Sequence, residues 1–119
     1  MAQYITKKDY FDFSGIDLDI ELRKSNTDNP SNAVDIFLTR IEEWCLNYLE
    51  LNYFVEEIDE EYFKKGVLHQ IDYVRKHGEI SVNTGSNIKV LSPDAFRLFK
   101  LGGMANTTLP RTPRRNPWL

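Results

Sequence analysis

The 119-residue chain predicts a mainly α-helical fold: a small domain of about four helices, a short β-hairpin between the third and fourth, and an extended C-terminal arm. Three observations carry that reading. Apolar side chains recur at spacings of three and four through two long stretches, cap and stop residues flank those stretches, and composition shifts to proline and arginine after Gly103. The boundaries this sets are a helical domain over 1–102 and an arm over 103–119.

The first helix is short, about 7–14. Thr6 can cap it, Asp9 completes a capping box, Ile5 and Tyr10 are spaced as a hydrophobic staple, and Gly15 stops it. Ile16, Leu18, Ile20 and Leu22 then alternate with Asp17, Asp19 and Glu21, a period of two that predicts an extended segment with one buried face. Residues 25–29 read as a loop. Asn29-Pro30 opens a second helix reaching about residue 52, with Val34, Phe37, Leu38, Ile41, Cys45, Tyr48 and Leu49 on one stripe. Ile36, Trp44, Leu46 and Leu51 widen that stripe beyond what a surface helix needs, so the helix is central or also touches a neighbour.

Asp59 caps a third helix, with Glu60 and Glu61 at its positive end and Lys64 and Lys65 four residues on. Phe63, Val67, Ile71 and Val74 form its buried stripe. Gly66 costs about 1 kcal/mol inside a helix and therefore marks a close helix–helix approach. Arg75, Lys76 and His77 suit the C-terminal dipole and Gly78 ends the helix. Residues 79–82 and 87–90 alternate around Asn83-Thr84-Gly85-Ser86, predicting the hairpin, which must lean on the helices or join a neighbouring sheet. Ser92-Pro93 opens the fourth helix, with Ala95, Phe96, Leu98, Phe99 and Leu101, and Gly102-Gly103 closes it.

Length allows one domain with a real core, and the apolar (41%) and aromatic (13%) shares are those of a folded protein. Cys45 is the single cysteine, so no internal disulfide can form. The start is charged too early for a secretory signal and no apolar run approaches the length of a membrane span, which predicts a soluble, intracellular protein without a membrane partner. Residues 1–102 hold all eighteen acids and twelve of the fifteen Lys and Arg, for −6, while 103–119 hold three arginines and no acid, for +3. An acidic body is a poor generic ligand for nucleic acid.

Little in the sequence supports catalysis. His69 and His77 are too far apart on one helix for a paired metal site, and no cysteine accompanies them. His69 suits a core edge or interface, His77 the end of a helix dipole, and Cys45 a buried apolar stripe. No phosphate-binding glycine loop, nucleophile elbow or zinc spacing occurs. The expectation is a non-enzyme with no catalytic residues, no metal and no cofactor. The acids Glu56, Glu57, Asp59, Glu60 and Glu61 read first as a solvated helix start, and residues 83–87 as a plain turn.

The C-terminal LPRTPRRNPWL is the strongest functional signal. Leu109, Trp118 and Leu119 supply apolar anchors, Arg111, Arg114 and Arg115 supply charge, and Pro110, Pro113 and Pro117 restrict the unbound chain, lowering the entropy lost on docking. Extended, residues 103–119 span roughly 50 Å, far enough to reach another chain.

Several stretches together resemble the head–tail connector proteins of tailed bacteriophages, the adaptor or head-completion family. They are YITKKDYFDFSGIDLDIEL, DNPSNAVDIFLTRIEEW, YFKKGVLHQIDYVRKHGEIS and LSPDAFRLFKLGG, and within the third FKKGVLHQIDYVRKHG is similar to connectors from phages of Gram-positive hosts. The resemblance covers most of residues 4–103. It implies a helical protomer that forms a homo-oligomeric ring, usually a dodecamer, in the virion neck after assembly in the host cytoplasm. Such a ring binds the portal protein on one side and the next neck or tail-completion protein on the other. Duplex DNA is only passing cargo in its channel, and a terminal arm commonly reaches the portal or a neighbouring subunit. It carries over no catalytic residues. On this expectation the nine tail residues Leu109, Pro110, Arg111, Pro113, Arg114, Arg115, Pro117, Trp118 and Leu119 bind portal or neighbour, and the acids at 56–61 face the channel, where like charge lets duplex slide. Two alternatives come from the residues alone. Pro110 to Arg115 matches PxxPxR, the spacing that SH3 domains read, which would make the chain a peptide-mediated adaptor module. The third helix with the arginines would make a small nucleic-acid-binding regulator.

Overall fold

The computed structural model describes residues 3–25, 31–77, 88 and 90–108, and within these the protein is mainly helical. Helices α1 (Lys7–Ser14), α2 (Leu18–Ser25), α3 (Ala33–Asn52), α4 (Glu60–His77) and α5 (Pro93–Leu101) follow one another along the chain. Helix α4 is the hub. It packs most extensively on α5, and also on α1 and α3, while α2 closes against α3 and α1. Tyr10, Phe37, Ile41, Leu49, Phe63, Val67, Ile71, Phe99 and Met104 are wholly buried in one core to which every helix contributes.

The start of α1 forms as its residues dictate. The Thr6 hydroxyl accepts from the Asp9 N–H and the Asp9 carboxylate accepts from the Thr6 N–H, at 3.3 and 2.8 Å. Ile5 and Tyr10 are both buried, as a staple requires. Gly15 takes the left-handed conformation (φ 75°) that ends the helix.

Residues 18–25 correct the reading of an extended segment: they form α2. A period of two contains a period of four, and the helix uses only the latter. Leu18 and Leu22, one turn apart, are 0% and 1% exposed, whereas Ile20 is 53% exposed. In a strand all three would share a face. Locally the acids favour the helix. The Asp17 carboxylate accepts from the Asp19 N–H at 2.9 Å, Asp19 and Glu21 occupy the positive first turn, and Arg23 and Lys24 occupy the last. Asp and Glu are poor residues for a strand.

Helix α3 ends where predicted but begins at Ala33, after a turn at residues 31 and 32; Asn29 and Pro30 lie outside the described residues. Its stripe includes Glu42, a buried carboxylate to which the N–H groups of Gln3, Tyr4 and Ile5 all donate at 2.9 Å. Three donors converging on one charge offset its burial and fasten the chain entering α1 onto α3.

Gly66 marks a close approach, as its cost in a helix suggests. A side chain there would collide with the ring of Phe99, so its absence lets α5 lie directly on α4. Phe63 stacks on that ring from the same side of α4, centroids 5.6 Å apart. Gln70 tethers the segment that leads into α5. Its carboxamide donates to the Val90 carbonyl at 3.1 Å and accepts from the Ser92 N–H at 2.7 Å, while the Ser92 hydroxyl caps α5. Of the expected hairpin, Ile88 and Val90 take no strand conformation, and 79–87 and 89 lie outside the described residues.

Packing carries the folded body past the boundary drawn at residue 102. Gly103 is left-handed (φ 78°), its N–H donates to the Lys100 carbonyl, and the Met104 N–H donates to the Phe99 carbonyl at 2.9 Å. This double closure, a Schellman motif, turns Met104 back into the core beside Ala105. The body therefore continues to Thr108.

Candidate interaction surfaces

The acids expected to serve a channel sit between α3 and α4 and in the first turn of α4. Glu56, Glu57, Asp59, Glu60 and Glu61 are all exposed, while Ile58 among them tucks against the core. Asp59 does the capping work, accepting from the Tyr62 N–H at 3.1 Å, and Glu61 pairs with Lys65 at 3.0 Å. Glu56 and Glu57 have no such structural task in the described contacts.

The nine predicted tail residues, 109 to 119, lie outside the described residues, but the point from which they leave is fixed. Tyr53 and Thr108 form an isolated antiparallel bridge, and the Phe54 N–H donates to the Thr107 carbonyl at 2.7 Å. The root of the arm is thus bound to the chain just after α3, a short step from Glu56 and Glu57. Tail and acids, distant in sequence, have neighbouring origins.

Beside that root runs a strip of aromatic rings that sequence reasoning did not assemble. Trp44 stacks on Tyr48 (5.6 Å between centroids), Tyr48 neighbours Tyr53 (6.4 Å), and Tyr53 neighbours Phe96 of α5 (6.0 Å). All four residues are partly buried and partly accessible. The signal was present in part: Trp44 and Tyr48 are one helical turn apart, but the link to Phe96 runs through Tyr53, beyond the end of α3, and needs the folded placement of α5. Large apolar side chains are also left in solvent elsewhere. Leu51 is 77% exposed, Leu101 63%, and Phe11, Ile20 and Phe54 53% each.

The residues weighed for chemistry take structural places. Cys45 is wholly buried, and burial, with Glu42 nearby, pushes its thiol far above the ordinary range, so it holds its proton. His69 is half-buried with its ring edge against Phe13, 4.9 Å between centroids. His77 lies exposed at the end of α4 over the Tyr73 ring. Among the described residues no cluster of three or more His, Cys, Asp or Glu is arranged to hold a metal ion, and no helix is long and apolar enough to cross a membrane.

A polar cluster joins α1 to α4. Arg75 donates to the Tyr10 hydroxyl and to Asp72, both at 3.0 Å, Lys76 meets Asp72 at 2.9 Å, and Lys64 meets Asp9 at 3.1 Å. Burial alone would raise the Asp72 carboxyl, but hydrogen bonds from Lys76 and Arg75 outweigh it and hold the group below its ordinary range. Asp9 is lowered in the same sense, burial being outweighed by the Thr6 N–H and by Lys64. Burial raises the Tyr10 hydroxyl.

Comparison with protein-family models, with curated proteins and with solved structures finds no match to this chain.

Proposed function

We propose that the chain is a structural, non-enzymatic protein of a phage neck, a ring-forming connector between the portal and the tail. The observation that carries this reading is the surplus of exposed apolar surface on a body whose core is already complete. Leu51 and Phe54 beside the root of the arm, Leu101 at the end of α5, and Phe11 and Ile20 on the first two helices are large side chains that the fold does not need to bury. Several such faces suit a subunit with neighbours on more than one side. The sequence resemblance supplies the kind of assembly, and the acidic body suits a conduit for duplex DNA.

In this reading the helices form the rigid wall, the acids from Glu56 to Glu61 face the lumen, and the segment from Leu109 to Leu119 straps the ring to the portal or to a neighbour. The test is electron microscopy of the purified protein alone and mixed with its portal. Rings that attach to portal are expected for the full chain. A truncation ending at Thr108, which spares Met104 and Ala105, is expected to keep its helical circular dichroism and lose attachment. Undiminished attachment would remove the strap, and a neutral or basic bore in the assembled ring would remove the role of the acids. The PxxPxR segment keeps an adaptor reading in view, and stable binding to an isolated SH3 domain would favour it over the neck.

A further inference from the structure

We propose that the aromatic strip of Trp44, Tyr48, Tyr53 and Phe96 is a docking surface for a proline-rich strand, and that its occupant in the free protein is this chain's own segment 109–119. The inference holds whether or not the chain belongs to a phage neck.

Direction comes first. Tyr53 and Thr108 pair antiparallel, so chain leaving Thr108 runs back toward the last turn of α3, along which Tyr48 and Trp44 lie. The Phe54–Thr107 hydrogen bond fixes that heading at 2.7 Å. Reach follows. Tyr53 and Trp44 are separated by about 14 Å of helix rise, and residues 109–119 in a polyproline conformation extend about 34 Å. The segment can traverse the whole strip without strain.

The chemistry matches on both sides. Proline-rich strands are recognised by rows of aromatic rings, because the ring of proline packs flat on them and little entropy is lost. The row here places centroids 5.6 to 6.4 Å apart, each residue partly buried and partly accessible. Pro110 and Pro113 are three residues apart, one turn of that helix, and so present the same face. Charge agrees as well: the segment carries three arginines and no acid, and α3, along which it would run, exposes Glu43 and Glu50. Tethering decides between sources. A strand attached at Thr108 meets its own strip at an effective concentration of about millimolar, well above a second copy in dilute solution.

The chain has only two tryptophans, Trp44 and Trp118, which makes the test direct. In full-length Trp44→Phe, which keeps a ring in the strip, Trp118 is the sole indole. Its emission should be blue-shifted and its quenching by acrylamide several-fold weaker than in a free peptide of residues 107–119, and both should persist on serial dilution. Replacing Pro110, Pro113 and Pro117 together by glycine cannot disturb the described core and should return quenching to the free-peptide value. So should Tyr48→Ser, with circular dichroism confirming the fold. Quenching equal to that of the peptide in the parent would overturn the proposal. Protection that disappears on dilution would overturn it in favour of a second copy, and protection appearing only with portal would assign the segment to that partner.

Discussion

Helix α5 meets α4 through a glycine and the edge of a phenylalanine ring, whereas α1 meets the same helix through ion pairs and a tyrosine–arginine–aspartate cluster. One joint is dry and steric, and the other is polar and charged. A dry joint is sensitive to volume and indifferent to pH, because nothing in it titrates and no void is tolerated. A polar joint accepts small changes of shape but depends on which groups are ionised. The same helix therefore offers two handles, and substitutions at each should separate them.

The largest effect should come from the dry joint. Phe99 is wholly buried and lies against both Gly66 and Phe63. Phe99→Ala should cost about 3–5 kcal/mol in urea unfolding, with the loss the same at neutral and mildly acidic pH. Gly66→Ala comes next. The added methyl would overlap the Phe99 ring, costing about 1–3 kcal/mol, although alanine also recovers about 1 kcal/mol of helix propensity. Pairing Gly66→Ala with Phe99→Leu should restore part of the loss, since the smaller side chain vacates the disputed space. Strict additivity of the two would show that they do not share a contact.

Much of this contrast was legible in the sequence. Gly66 in a strong helix pattern announced a close approach, and Ser92-Pro93 and Thr6 with Asp9 announced two helix starts that formed as read. Three things were not legible, each for its own reason. Alternation at 16–22 was ambiguous because Leu18 and Leu22 satisfy period two and period four together, and only capping by Asp17 breaks the tie. The end of the body was placed at the glycine pair because the same residues that stop a helix also turn the chain, and Met104 returns to the core only through that turn. Glu42 was passed over although a carboxylate one turn from Leu38 and Cys45 sits on a buried stripe. Its partners are backbone N–H groups at residues 3–5, which no side-chain pattern reveals.

The polar joint should respond to acid. Asp9 and Asp72 sit below their ordinary range when folded. The stability they confer is therefore fully present above the range where aspartates titrate in an unfolded chain, and is lost as pH falls through their lowered folded values. Urea midpoints should be flat near neutrality and decline once pH drops beneath the usual carboxylate range. Asp72→Asn should flatten part of that decline while costing about 1 kcal/mol at neutral pH. An acid response unchanged in Asp72→Asn would place the titrating group elsewhere.

The smallest effect is expected where the chain carries its densest negative charge. Glu56 and Glu57 are exposed and take no part in capping, which falls to Asp59. Changing both to glutamine should move stability by no more than about 0.5 kcal/mol, the ordinary range for surface sites. Glu61 differs slightly, since it pairs with Lys65 at 3.0 Å across one turn. Glu61→Gln should lower stability slightly at low salt, and that difference should vanish as screening rises. A fold so indifferent to these charges leaves them free to be set by what passes or binds beside them. If the lumen reading holds, neutralising Glu56 and Glu57 should leave the protomer and its ring intact while raising affinity of that ring for duplex DNA in a salt series. If DNA affinity does not move, Glu56 and Glu57 do not face passing duplex.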